Sequence, residues 1–176
     1  PIVELKYTAG ISNLFKSQYN YHKISGGISD YSNIPPFGTL YYNAFAGRTF
    51  GTLPFMLLDV APGNELYYYN RYAFNLMNFL EYATDEYVSV HFRHHFNGLI
   101  MDRIPLVNKL KWRSFVFGKG YFGNLSAQNN EGRYLFPEEL TALTKPYYET
   151  GFGFENIFKI ARMDFVWRLT EGATGP

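Results

Sequence analysis

Regular alternation of apolar and polar residues is the feature that most constrains how this chain can fold. In KIARMDFVWRL, residues 159–169, every second residue from Ala161 onward is apolar, and the residues between are mostly charged. Successive side chains of a β-strand point to opposite faces, so the pattern predicts a strand with one apolar and one polar face. The apolar positions include Met163, Phe165 and Trp167, and the polar positions are Arg162, Asp164 and Arg168.

The same alternation recurs along the chain and predicts about seven strands of roughly ten residues each. It is clear in residues 3–12, 87–96, 112–122 and 148–155, and fainter in 19–30 and 39–50. It fails in two stretches, near residues 51–84 and 124–146. We interpret these as long loops. The first is aromatic and partly helical, and the second holds a short helix within FPEELTALTK.

Alternation alone fits both a soluble β-sandwich and a transmembrane β-barrel, and composition favours the barrel. Aromatic residues make up 20% of the chain, with 17 Phe and 16 Tyr, and there are 16 Gly. Aromatic girdles and a polar, glycine-containing lumen are typical of outer-membrane barrels. No apolar run approaches the roughly 18–20 residues of a membrane-spanning helix. The predicted class is therefore all-β, as an antiparallel transmembrane β-barrel with long extracellular loops.

The barrel interpretation assigns side chains to two faces. Lys119 falls in phase with the apolar residues of its strand, and we place it near a strand end, where its amine reaches water. The predicted lumen-facing polar row is Ser89, His91, Arg93, His95, Arg162, Asp164 and Arg168. The predicted lipid-facing residues are Val88, Val90, Phe92, Phe115, Phe117, Phe152, Phe154, Met163, Phe165 and Trp167.

The histidine-rich stretch YVSVHFRHHF, residues 87–96, does not predict a metal site. His91 and His95 share a face but lie roughly 13 Å apart at ~3.3 Å per strand residue, with Arg93 between them. The chain has no cysteine, which excludes thiolate ligands, disulfides and a cysteine nucleophile. No serine-nucleophile or phosphate-loop motif occurs. We therefore predict no catalytic, cofactor-binding or metal-binding residue, no cofactor and no enzymatic activity.

Two further segments have more than one interpretation. The cluster LYYYNRY, residues 66–72, is either a binding surface or a loop packed into the lumen, and we favour packing. The candidate contact residues there are Tyr67, Tyr68, Tyr69 and Arg71. The basic run RIPLVNKLKWR, residues 103–113, is either a contact for anionic lipid headgroups or a solvated turn, and we favour the turn.

Three stretches resemble known outer-membrane barrels. Residues 85–124 resemble a strand–turn–strand near the end of barrels of the BamA/TamA superfamily. They are more similar to a Bacteroidota-type family of unknown function that joins a carboxypeptidase-regulatory-like domain to a C-terminal barrel. Residues 149–169 resemble that family's penultimate hairpin, and residues 53–74 resemble the segment before the long sixth extracellular loop. The superfamily loop has an Arg-Gly-aromatic tip, whereas this region reads ELYYYNRY, with Arg71 the nearest arginine.

The resemblance implies that residues 1–176 are part of one outer-membrane barrel domain. They would form about seven strands of a barrel of roughly 16, with the N-terminal part of the protein and the last strand absent. The implied role is non-enzymatic, as an assembly or translocation factor or a structural subunit of a surface complex. The alternatives are a transport or ligand-binding barrel and a soluble carbohydrate-binding sandwich.

The implied location is the bacterial outer membrane. The expected partners are outer-membrane lipid or lipopolysaccharide and other outer-membrane or periplasmic proteins. The net charge of +1 gives no reason to expect nucleic acid.

Overall fold

The computed structural model of the protein describes residues 1–12, 19–64, 70–105, 107–130, 137 and 140–170. Its main element is a sheet of seven antiparallel strands, which confirms the all-β class. The strands are β1 (Ile2–Gly10), β2 (Tyr21–Ile34), β3 (Gly38–Phe50), β6 (Glu86–His95), β7 (Arg113–Asn124), β9 (Tyr147–Ile157) and β10 (Ala161–Arg168). They lie in the sheet in chain order, so β1 and β10 are its two edges.

A second, three-stranded sheet is built from the long connections. Its strands are β4 (Asp59–Val60), β5 (Tyr82–Thr84) and β8 (Thr141–Ala142). The described helices are short: two 3-10 turns, Phe55–Leu57 and Met101–Arg103, and two single-turn α-helices, α1 (Val107–Leu110) and α2 (Ala127–Asn130). No helix in the described part of the chain is long and apolar enough to cross a membrane.

The helical content expected in the long loops is mostly not found. Within the described part of residues 51–84, it is limited to the turn Phe55–Leu57. Backbone groups of residues 73–76 bond instead to side chains of the main sheet, which leaves them unable to form a helix ladder. The helix predicted within FPEELTALTK falls partly on residues outside the described ones, and Thr141–Ala142 form β8.

The connections between strands alternate between two ends of the main sheet. Residues 35–37, 96–112 and 158–160 lie at one end, which we call the turn end. The described parts of the connections 11–20, 51–85 and 125–146 lie at the other, which we call the loop end. All three connections at the turn end are shorter than 51–85 and 125–146.

The two faces of the main sheet have an inverted polarity. On the outer face apolar side chains are exposed, for example Val90 at 39% and Phe165 at 40%. On the inner face charged side chains are buried, including Lys119 at 5% and Glu149 at 1% exposure. Nine residues of the predicted polar row and of its neighbours share this inner face: Ser89, His91, Arg93, His95, Lys119, Glu149, Arg162, Asp164 and Arg168. We call them the polar face.

The outer face holds most of the residues that were predicted to meet lipid. Val88, Phe92, Phe152, Met163 and Trp167 are each at least 39% exposed there. Phe154 lies on the same side and is partly buried. Whether this face contacts lipid stays a prediction.

The assignment of Phe115 and Phe117 to that face is wrong. Both are buried on the inner face, at 0% and 1% exposure. Their rings lie under guanidinium groups: Arg93 is 5.4 Å from the Phe115 centroid and 5.6 Å from that of Phe117. Aromatic faces attract such cations, so the aromatic residues of this strand lie on the same face of the sheet as the charged residues and not on the opposite face. Lys119 is therefore not at a strand end but in the middle of β7, on the buried side.

Two glycines of β9 make room for these rings. Gly151 pairs with Phe117 and Gly153 with Phe115 across the β7–β9 ladder. A Cβ atom at either glycine would collide with the opposite ring. The alternating glycines of YETGFGFE are thus explained by aromatic side chains that lie flat across the neighbouring strand.

The core lies between the inner face and the long connections. One cluster joins Phe74, Met77 and Tyr82 from the connections to Tyr121 and Tyr147 of the sheet. A second cluster, nearer the loop end, contains Leu53, Leu58 and Leu125. The hydrophobic core is therefore on the polar side of the sheet, under the loops.

Candidate functional site

The polar face is built by strand register. His91 lies opposite Lys119, Lys119 opposite Glu149, and Glu149 opposite Arg168. Residues directly opposite one another in an antiparallel ladder project from the same face. The register therefore sets side by side charged groups that are far apart in sequence.

A buried ion pair lies at the centre of this row. Lys119 Nζ is 3.3 Å from Glu149 Oε1, and the two side chains are 2% and 0% exposed. Glu149 also accepts a hydrogen bond of 3.2 Å from the Tyr147 hydroxyl. A buried pair of charges is tolerated only when the remaining donors and acceptors are also satisfied. The remaining partners come from outside the sheet.

Those partners belong to residues 70–81, which we call the docked segment. Lys119 Nζ donates to the carbonyl of Ala73 and, at 3.1 Å, to Asn75 Oδ1. Glu149 accepts from the backbone N–H groups of Asn75, at 2.9 Å, and Leu76, at 3.1 Å. The pair thus fastens a loop to the sheet through the backbone of the loop.

Arg168 of the edge strand β10 provides a second attachment. It is 2.6 Å from Glu81 Oε1 and donates at 3.0 Å to the hydroxyl of Tyr82. Its guanidinium also lies 4.8 Å from the ring centroid of Tyr147. Glu81 accepts in addition from the backbone N–H of Asn78, at 2.8 Å.

The Glu81 carboxyl has a lowered pKa. Burial alone would raise that pKa, but hydrogen bonds from Arg168 and from the Asn78 N–H outweigh burial and bring the pKa below its ordinary 4.5. The ionised carboxylate is therefore the form that holds the C-terminal end of the docked segment.

Phe74 is the apolar anchor of the docked segment. Its side chain is fully buried, and its ring meets His91 at 4.9 Å, Tyr147 at 5.2 Å and Tyr121 at 5.9 Å, each edge to face. Edge-to-face pairs of this kind add to the gain from burial. The anchor sits directly over the row that contains the ion pair.

Arg71 extends the docking to the opposite half of the sheet. Its guanidinium lies 4.9 Å from the ring centroid of Tyr41 and 5.7 Å from that of Tyr31, and it donates to the Tyr31 hydroxyl. Its predicted neighbours Tyr67, Tyr68 and Tyr69 lie outside the described residues. Together, Arg71, Phe74 and Glu81 connect the docked segment to strands from β2 to β10.

The three histidines of β6 have separate partners. His91 Nε2 is 3.1 Å from Ser89 Oγ, and His95 Nδ1 is 3.0 Å from Glu155 Oε1. His94 lies on the other face, where its Nε2 is 3.0 Å from the carbonyl of Phe37. Within the described ranges, no group of three His, Cys, Asp or Glu side chains could hold a metal ion.

Arg162 and Asp164 form a pair within β10. Arg162 donates to both carboxylate oxygens of Asp164, with its Nε at 2.6 Å from Oδ1, and lies 4.4 Å from the Phe115 ring centroid. The predicted polar row is therefore brought onto one surface, but its members act as separate paired groups. The arrangement holds a loop of the chain against the sheet.

Sequence reasoning missed the residues that matter most for docking: Lys119, Glu149, Phe74 and Glu81. One signal was present. A lysine that lies six residues from the start and five from the end of a strand such as 113–124 cannot reach water beyond either strand end, so its face must be the polar one.

Lys119→Met is expected to cost about 3–5 kcal/mol of folding free energy, because it leaves the buried Glu149 carboxylate without its cation. Lys6→Met, at an exposed position of β1, is the matched control and should change stability little. Urea unfolding of the purified, refolded protein measures both. Equal effects of the two substitutions would contradict the structural role of the pair.

The second attachment predicts an acid-dependent contribution to stability. A carboxyl with a lowered pKa in the folded state stabilises the fold above its ordinary pKa, and the contribution is lost as pH falls through the lowered value. Glu81→Gln should therefore be less stable than the wild type at pH 6, and the difference should shrink below pH 4.5. Unfolding curves of both proteins from pH 6 to pH 3 test this, and a constant difference would refute it.

Comparison with known proteins adds a family. No curated protein and no solved structure matches the chain significantly. Residues 1–135 match the profile of a family of unknown function, the DUF5686 C-terminal domain. The match spans β1 to β7 and includes the docked segment. The chain therefore belongs to the DUF5686 C-terminal domain family, whose function is unknown.

Proposed function

We propose that this chain is part of the wall of an outer-membrane β-barrel whose interior is occupied by its own docked segment. It acts without catalysis, in the assembly or translocation of other proteins or as a structural subunit of a surface complex. The inverted polarity of the main sheet is the observation that supports the proposal. Its apolar face is exposed, and its charged face is buried.

An apolar solvent accounts for this polarity better than water does. Complete burial of one large apolar side chain is worth about 1.5–3 kcal/mol, and the outer face exposes many along all seven strands. Soluble monomers rarely expose contiguous apolar patches larger than a few hundred Å². A soluble sandwich needs a second sheet against this face, and within the described part of the chain no such sheet covers it.

The dimensions of the sheet also fit a bilayer. Its strands contain 8 to 14 residues, and roughly 9–11 tilted residues cross the hydrocarbon core. The edge strands β1 and β10 each have one side without a partner in the sheet. Backbone groups exposed to lipid must be paired, so we expect further strands at both edges, as in a barrel larger than seven strands.

The paired charges favour an occupied barrel over an open pore. Lys119, Arg162 and Arg168 are each within 3.3 Å of a carboxylate oxygen. Two of these pairs hold the docked segment. A solute pathway needs charges that are available to the solute, so the transport alternative gains no support here. The assembly role itself rests on the resemblance to the BamA/TamA superfamily, in which an edge strand guides a client by β-augmentation.

The membrane proposal is tested with two neighbouring positions on β6. Because this stretch contains no cysteine, Val90→Cys and Ser89→Cys each carry a single spin label, on the outer and inner face respectively. In lipid vesicles, the label at position 90 should be relaxed by oxygen dissolved in the bilayer and shielded from a water-soluble nickel chelate. The label at position 89 should be reached poorly by both. Free access of the chelate to position 90 would refute the proposal.

The assembly role makes a separate prediction in cells. Depletion of the full-length protein should lower the amounts of other barrel proteins in the outer membrane, and the wild-type gene should restore them. Lys119→Met should restore them less well than Lys6→Met, because only the former disturbs docking. Quantitative proteomics of isolated membranes measures this. If the amounts of the other barrel proteins do not change on depletion, the assembly role is excluded and only the role as a structural subunit is kept.

A further inference from the structure

A cleft at the turn end of the sheet lies beside Trp112, the residue that precedes β7. Its volume is about 580 Å³. Lys109, Lys111 and Arg113 line it, together with Asp102 and Trp112. Lys109 and Lys111 are exposed, so the cleft is open to a ligand that approaches from outside.

The cleft has an excess of positive charge. Three cations face one carboxylate, that of Asp102, which occupies the space where a Cβ atom on Gly98 would lie. Among the described residues, neither Lys109, Lys111 nor Arg113 forms an ion pair. Arg113 lies opposite Glu155 in the ladder, but that carboxylate bonds to His95. The exposed Lys109 and Lys111 are therefore available to an anion, while Arg113 also interacts with the Glu155 carboxylate.

Trp112 also lines the cleft. Its Nε1 is buried and has no hydrogen-bond partner within the described part of the chain. The ring lies 6.3 Å from that of Phe154, on the outer, apolar face. A buried N–H without an acceptor is costly. A ligand with anionic oxygens would balance the excess of positive charge in the cleft beside this ring.

We propose that this cleft binds the phosphate group of an anionic phospholipid. Tryptophan and basic residues are enriched where a protein crosses from hydrocarbon to headgroups. The neighbouring turn supports such a boundary, because Phe158 and Ile160 are 78% and 92% exposed. The proposal that a phosphate group binds here depends only on the residues that line the cleft. Its assignment to a lipid rests on the proposed membrane function.

Binding is measured by native mass spectrometry of the full-length protein in detergent. The titrants are phosphatidylglycerol, phosphatidylcholine and soluble glycerol 3-phosphate. The wild type should bind phosphatidylglycerol most tightly. Lys109→Gln/Lys111→Gln should weaken that binding about 25-fold, at about fivefold for each lysine.

The charge-matched control is Lys6→Gln/Lys145→Gln, at exposed positions away from the cleft, and its affinity should equal that of the wild type. Circular dichroism checks that all variants are folded. Unchanged affinity in the double cleft variant would overturn the proposal, as would equal binding of the two lipids. Equally tight binding of glycerol 3-phosphate would keep the phosphate site and overturn its lipid source. Because no bilayer is needed, this outcome is independent of the spin-label test.

Discussion

The ion pair between Lys119 and Glu149 is the interaction on which the rest of the structure depends. It joins β7 to β9, and its unused donors and acceptors are satisfied by the backbone of the docked segment. Without the segment, two charges would be left in a partly dry environment with unsatisfied hydrogen bonds. Without the pair, the segment would lose four of its bonds to the sheet. Sheet and loop therefore stabilise each other, and neither is a passive support.

This coupling explains why the sheet has its polar side inward. Charges buried under a loop need partners. Arg93 and Arg162 find them in aromatic rings and a carboxylate on the same face, and Arg168 finds one in Glu81 of the docked segment. The apolar residues are then left on the other face, along every strand. The inverted polarity follows from how the interior is satisfied, and it makes an apolar environment outside the sheet the favourable one.

Sequence alone predicted the strands well, because alternation is a local property. It assigned Phe115 and Phe117 of β7 to the wrong face of the sheet. Their rings lie on the inner face, where they contact the guanidinium groups of arginines from β6 and β10. These contacts are visible only once the register is known. Likewise, Lys119 and Glu149 are 30 residues apart, and no local pattern brings them together. The sequence of the docked segment shows no alternation of apolar and polar residues. The segment is attached to the sheet by single side chains and backbone groups rather than by one repeating face.

The extent of the family match gives these attachments a further meaning. The matched residues 1–135 include the docked segment and Lys119, but Glu149 and Arg168 lie beyond them, on β9 and β10. A chain that ended at residue 135 would keep Lys119. It would lose Glu149, which accepts hydrogen bonds from the backbone of the docked segment, and Arg168, which pairs with Glu81. Burial of an unpaired lysine is unfavourable, so such a chain would have to release the segment or expose the polar face. The cooperative unit of this protein is consequently longer than its matched region and extends at least to β10.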